Sequence, residues 1–394
     1  MSHKILCRFG EVSTKVGNRK EFIKILKRNI QVALSDCDDI KIERTFDRLI
    51  IHYDKKDEQV IVMRLKKMFG LSSFSIIKEV ELSLETIVHI TTQLMKEKDA
   101  TTFKVITKRS NKLFEYDSDE INRAVAASIL KNTNHKVDVH QPAIPIRIEI
   151  KHHHGYVSVE TFKGLMGMPV RMANRGALML SGGFDSPVAG YLANKRGIEC
   201  IAIHFETIPF TSLQALDKVL HLAQKISVYQ NKMEVYVVPF VQVQLKINEY
   251  VPESYRIIIM RRMMMRIANQ LAKAHGAKVI ITGESVGQVA SQTISSIERI
   301  NEVSELLVLR PLATYDKTEI IELAKQLDTF DLSSLPYDDC CSVFTPDKPI
   351  TNPLKEKTIR FESFYDYQEK IDEAIAHTIR YMVDESSISK VEKE

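Results

Sequence analysis

Two rhythms divide the chain. From about residue 177 to 327, short apolar runs alternate with longer stretches in which apolar positions recur every three to four residues. The runs at 177–180, 200–205, 234–240, 278–282 and 306–309 predict buried strands. Between them, 187–196, 213–226, 255–275 and 317–327 carry the helical period, and Gly197 and Gly276 follow two of these where a helix ordinarily stops. Strand alternating with helix predicts a doubly wound parallel α/β sheet, whose ligands bind at the carboxyl ends of the strands.

The front of the chain mixes short strands (4–9, 48–52, 103–107, 147–150, 156–161) with helical runs at 19–33, 60–68, 83–98 and 118–131. This predicts two small α+β units with a break near 54–59, and 164–174 reads as the linker into the α/β part. The expected domains are 1–58, 59–165 and 172–394. From about residue 384 the chain turns polar and is expected to fray.

Composition narrows the class. The 394 residues are 44% hydrophobic and 27% charged, as in a soluble globular protein. No run approaches the ~20 uncharged apolar residues of a membrane span, and the first residues lack a signal peptide's apolar segment, so a cytosolic protein without a membrane partner is expected. The net charge of +4 hides an asymmetry: residues 1–171 hold 30 Lys+Arg against 22 Asp+Glu, and residues 172–394 hold 25 against 29. A basic front half is suited to a polyanion. Five scattered cysteines without a CxxC give neither a disulfide framework nor a zinc ribbon. Only Cys340 and Cys341 adjoin, in a polar, loop-like stretch. His152, His153 and His154 read as a solvated or RNA-facing strand end rather than a metal site.

The sharpest signal is Leu180-Ser181-Gly182-Gly183-Phe184-Asp185-Ser186-Pro187, between a strand and a helix. Two glycines let the backbone turn tightly and aim N–H groups at a phosphate, and the helix N-terminus adds partial positive charge. Ser181 and Ser186 can donate hydroxyls, while Asp185 is suited to Mg²⁺. Pro187 fits a first helical turn. No GxxxxGK[ST] is present, which excludes a Walker-type loop. The SGGxDS pattern resembles the PP-loop of the ATP pyrophosphatases, which cut ATP between its α- and β-phosphates. At other strand ends, Met179 and Leu180 could meet an adenine edge, His204 and Phe205 could flank the base, and Gly283 would let backbone approach the nucleotide. Arg261, Arg262 and Arg266 interrupt a methionine-rich helix, and one of them could meet an α-phosphate or an RNA phosphate.

These motifs together resemble the tRNA 4-thiouridine synthetase (tRNA sulfurtransferase, ThiI) family over nearly the whole chain. Arg8-Phe9-Gly10-Glu11 with Gly17-Asn18-Arg19 and Phe22 is similar to the family's N-terminal ferredoxin-like domain. Phe103-Lys104-Val105, Lys108-Arg109, Pro142, Glu149-Ile150 and Tyr156 resemble its THUMP domain, an RNA-binding module. Arg261-Arg262-Met263-Met264, the run from Thr282 to Thr293, Arg310-Pro311-Leu312 and Asp339-Cys340-Cys341 complete the match. The resemblance implies ATP contacts at Met179, Leu180, His204, Phe205, Arg261, Gly283 and Gln292. It places the sulfur-handling thiol at Cys341, with Cys340 as the neighbouring alternative. Lys104, Lys108, Arg109 and Lys112 are the expected phosphate contacts to tRNA.

By the same resemblance the cofactors are ATP and Mg²⁺, the target is uridine 8 of tRNA, and the product is 4-thiouridine. A homodimer and a second role in thiamine thiazole synthesis are also implied. This sequence departs from the family in three places. The linker, usually like GLGGLPVGTSGK, here has Met166, Arg171 and Asn174 in place of three glycines. Phe184 replaces the commoner Ile. Longer members of the family carry a C-terminal rhodanese domain that this chain is expected to lack, so the sulfur donor is expected to be a partner, most simply a cysteine desulfurase. Competing readings are another PP-loop adenylating enzyme and a non-catalytic RNA-binding protein.

Overall fold

The apolar runs of the second half become the strands of one seven-stranded sheet. Its spatial order is Leu307–Leu309, Ala277–Ile281, Arg175–Met179, Glu199–Glu206, Lys232–Pro239, Ile379–Asp384, Ile388–Val391. The computed structural model describes residues 3–11, 19–45, 48–337 and 348–392. The chain partitions into two compact units, Met1–Gly167 and Met168–Glu394. No helix among the described residues is long and apolar enough to cross a membrane.

In the second unit the first five strands of that order are parallel. Side chains alternate across the sheet. Ala177, Ile201, Ile203 and Tyr236 join one core with the helix Arg256–Ala274, while Leu178, Cys200, Ala202 and Val235 join another with Asp185–Lys195 and Leu213–Ser227. Burial on both faces explains why these strands read as near-continuous apolar runs. The chain starts at Arg175–Met179, moves outward through two strands, then crosses back to Ala277–Ile281 on the other side. That reversal opens a crevice at the strand ends, where ligands of such sheets bind.

The last two strands run antiparallel. Ile388–Val391, in the stretch expected to fray, pairs with Ile379–Asp384. Its turn is closed by the Asp384 carboxylate, which accepts from the N–H groups of Ser386 and Ser387 at 2.8 Å each. An edge strand with one wet face has too few apolar positions to be seen as a buried run.

The first unit is built on a single eight-stranded sheet, in the order Lys41–Arg44, Arg48–Tyr53, His3–Phe9, Leu71–Val80, Gly155–Lys163, Ile144–Ile150, Thr102–Arg109, Lys136–Val137. Leu71–Val80 pairs with His3–Phe9 on one side and Gly155–Lys163 on the other, so one strand belongs to both halves. Residues 54–59 form a short turn of helix, Lys55–Asp57, and lead directly into Glu58–Lys66. On one face of this sheet Glu149 accepts from Arg8 at 2.9 Å and from Arg48, joining strands from both halves.

The three linker positions that lack glycine all adopt left-handed backbone: Met166 has φ 63°, Arg171 φ 77° and Asn174 φ 66°. Met166 holds this conformation between two backbone bonds of 2.8 Å, to Leu71 O and from Gly70 N. Asn tolerates the left-handed region, whereas Met and Arg pay a steric cost of order 1–2 kcal/mol each.

Candidate active site

The strand Arg175–Met179 runs into the glycine loop, and the helix starts at Asp185, two residues earlier than expected. Pro187 is then its third residue, still within the first turn. The loop is stapled to itself. The Ser186 hydroxyl donates to Ser181 O at 3.2 Å and accepts from Ser181 N at 2.9 Å, and Gly183 N donates to Ser181 Oγ at 3.3 Å. The two hydroxyls expected on a phosphate therefore shape the loop in this structure. Gly283 presses against it from the neighbouring strand. A Cβ there would lie 2.7 Å from Asp185 C and from Ser186 N, so the close approach that glycine permits is to the loop backbone.

A cavity of about 790 Å³ opens beside the loop, within the range of small-molecule sites. Met179, Leu180, Ser181, Gly182, Gly183, Asp185, Ser186, His204, Phe205, Arg261, Gly283 and Gln292 all line it. Residues from four separate stretches of sequence thus meet at the crevice. His204 is buried, and its Nδ1 donates to Leu180 O at 3.0 Å, which fixes the ring against the loop's entry strand. Gln292 is also tied inward, its Oε1 accepting from Ser285 N at 3.2 Å.

Two carboxylates line the cavity among the described residues, and each has cationic partners. Asp185 Oδ1 accepts from Lys317 at 2.8 Å and Oδ2 from Gln288 at 3.0 Å. Glu284, 2% exposed, accepts from Arg261 at 2.6 Å, Arg310 at 2.7 Å and Thr282 at 2.9 Å. Burial alone would push its carboxyl up, but the two guanidiniums and the hydroxyl outweigh that and hold it below the usual carboxylate range. Arg261 thus reaches the cavity from a fixed anchor. Of the two carboxylates, only Asp185 is partly exposed, and a single carboxylate is enough for a nucleotide's Mg²⁺, which keeps several waters besides phosphate oxygens. No cluster of three or more metal-ligating side chains occurs among the described residues.

Sequence reading did not assign Glu284, Arg310, Lys317, Gln288 or Lys218 to the site. One signal was available for Lys317. It opens the helix Lys317–Gln326 after the cap Asp316, where the helix dipole disfavours a cation. Another was available for Lys218, a lysine on the apolar stripe formed by Ala215, Val219, Leu222 and Ile226.

The four front-half cations divide. Lys108 and Lys112 are exposed. Lys104 donates to Val139 O at 3.0 Å and Arg109 to Phe114 O at 3.2 Å and to Tyr116 O, bonds that hold neighbouring loops. His152 and His153 are exposed in the bend between two strands. Cys340 and Cys341 lie outside the described residues. Tyr337 and Pro349, near the two ends of that stretch, line the cavity.

Comparison with known proteins covers nearly the whole chain. Residues 172–367 match the family described as Thiamine biosynthesis protein (ThiI), residues 4–75 the ThiI ferredoxin-like domain, and residues 81–160 the THUMP domain. A probable tRNA sulfurtransferase of Bacillus licheniformis is 45% identical over 95% of this chain and 94% of its own length. One of Geobacillus sp. (strain WCH70) is 43% identical over 99% and 98%. Among solved structures, a 4-thiouridine synthetase in complex with RNA and bound ATP superposes with a TM-score of 0.87 at 31% identity, over 98% of this chain and 100% of that one.

Proposed function

We propose a two-step mechanism for this chain, which belongs to the ThiI family of tRNA sulfurtransferases. ATP first activates a tRNA uridine, uridine 8 by the family resemblance, and a persulfide then delivers sulfur to it. What carries this reading is the convergence of the glycine loop, the start of the helix Asp185–Lys195 and Arg261 on one nucleotide-sized cavity at the sheet's reversal point.

Uridine O4 attacks the α-phosphorus, the α–β anhydride bond breaks, and pyrophosphate leaves as the N3 proton is lost. This step is needed because a carbonyl oxygen is otherwise a very poor leaving group. Loop backbone, the helix N-terminus, Arg261 and Lys317 are the groups that meet the developing phosphate charge. Asp185 would hold Mg²⁺, which would neutralise part of that charge. Its bond to Lys317 keeps the two groups side by side at the loop. His204 and Phe205 form the wall suited to the base.

In the second step the terminal sulfur of a persulfide on Cys341 bonds to C4, and the C4–O4 bond breaks as AMP departs. Another thiol, that of Cys340 or of the sulfur donor, attacks the Cys341 sulfur. The S–S bond breaks, the new sulfur stays on the base, and N3 regains its proton. The thiol pair is left as a disulfide for an external thiol to reduce. A cysteine desulfurase is the donor that suits this chemistry. The front unit, by its THUMP match, holds the tRNA.

The test is pyrophosphate release from ATP by the purified chain with tRNA, and mass spectrometry of the product nucleosides. Asp185→Ala is expected to abolish release, by at least a hundredfold, while tRNA binding persists. Full thiolation by that variant would move the active site elsewhere.

A further inference from the structure

Lys218 is a buried cation to which neither adenylation nor sulfur transfer has yet given a part. It is 5% exposed, lies on the inward stripe of the helix Leu213–Ser227, and lines the nucleotide cavity. No carboxylate pairs with it among the described residues. Its ammonium instead donates to two backbone carbonyls, Leu335 O at 3.2 Å and Tyr337 O at 2.9 Å. Burying an ammonium on carbonyls, with no carboxylate partner among the described residues, is costly, so such a group is a device rather than filler.

The two carbonyls belong to the stretch that leads into the cysteine pair, since only Asp338 and Asp339 separate Tyr337 from Cys340 and Cys341 in sequence. Upstream, this stretch is pinned to the glycine loop. Phe330 packs on Phe184 with ring centroids 5.4 Å apart, and the Ser333 hydroxyl donates to Gly183 O at 3.4 Å. Beyond Ser333 the side chains offer little grip, because Leu335 is 39% and Tyr337 36% exposed. Lys218 supplies the missing anchor.

We infer that Lys218 is a positioning residue for the sulfur-transfer step: it fixes the backbone that enters the cysteine pair to the wall of the nucleotide cavity. This rests on the reading of Cys341 as the sulfur-handling thiol. Lys218 holds the carbonyls, and the cysteine acts on the base.

The test uses the full chain with tRNA, ATP and a purified cysteine desulfurase with cysteine, and in parallel with free sulfide. Lys218→Met is expected to lose at least tenfold more in the kcat of desulfurase-driven thiolation than in the rate of pyrophosphate release. Free sulfide restores product, because a small nucleophile needs no positioned thiol. Lys218→Arg, which keeps a donor able to reach both carbonyls, recovers part of the loss. Alkylation followed by peptide mass spectrometry supplies a readout apart from turnover. The rate at Cys340 and Cys341 is expected to change, while Cys7 and Cys200, both buried with thiols pushed up to about 12, stay unreactive. If those two also react, the Met variant has unfolded, and Lys218→Gln, which is polar but too short to span both carbonyls, is expected to show the same kinetic split. Normal desulfurase-driven thiolation by a folded Met or Gln variant overturns the proposal. So does loss of pyrophosphate release by that variant, which would make Lys218 a phosphate contact. Cys341→Ser in the same assay separates the premise: if that variant thiolates normally the cysteine assignment fails, whereas if it fails to thiolate and the Lys218 variants succeed, only the Lys218 role falls.

Discussion

At the scale of single residues, the linker and the site follow opposite logic. Met166 and Arg171 are held left-handed without glycine's freedom. Met166→Gly is therefore expected to raise stability by about 1 kcal/mol, the steric relief exceeding the added freedom of the unfolded chain. Chemical denaturation of the two proteins would measure it, and an equal or lower stability would show that the surrounding bonds already absorb the strain. Glu284 is the reverse case, a buried charge kept because it has three partners. Glu284→Gln removes the charge that fixes Arg261 and Arg310 together. The expected result is a KM for ATP raised about tenfold in pyrophosphate release, the worth of one charge-assisted hydrogen bond. An unchanged KM would mean that Arg261 needs no anchor.

Elements were legible where burial was complete. The four inner parallel strands are largely apolar because helices cover both faces, whereas Leu307–Leu309 at the edge is partly exposed, and the glycine loop could be placed from its flanks. Leu71–Val80 escaped notice because Ser72, Ser73 and Ser75 interrupt its apolar pattern, although Ser75 is buried and shares a 2.9 Å hydrogen bond with Thr161. Contacts between elements were hidden too. Periodicity says nothing of which carboxylate faces which guanidinium, so Asp185 with Lys317 and Glu284 with Arg310 had to be seen in space. The bridge from Glu149 to Arg8 and Arg48 belongs here as well. Burial would raise the Glu149 carboxyl, but the two guanidiniums hold it below its ordinary value. A depressed carboxyl stabilises the fold above the unfolded value of about 4.3 and loses that contribution as pH falls through the folded one. Glu149→Gln is expected to cost about 3 kcal/mol at neutral pH, read as faster hydrogen exchange in His3–Phe9 and Ile144–Ile150. The gap from wild type is expected to close below about pH 4.3; a gap independent of pH would mean that the charge is not what matters.

For the molecule as a whole, the division of charge matches a division of matched families, the basic front carrying the THUMP match and the acidic back the ThiI match. Lys108 and Lys112 are exposed, while Lys104 and Arg109 are engaged with carbonyls. Replacing Lys108 and Lys112 together by Ala is expected to weaken tRNA binding for all sequences alike and to lower the slope of log affinity against log salt by about 2, one per phosphate contact. An unchanged slope would place the phosphate contacts elsewhere. The strand shared by both halves of the front sheet adds a mechanical consequence. Ladders on both of its edges leave no hinge between those halves, so points on the two sides keep a constant spacing. An RNA gripped at both would be gauged as callipers gauge a rod, and a stem of the wrong span would lose one grip rather than bend the protein to fit.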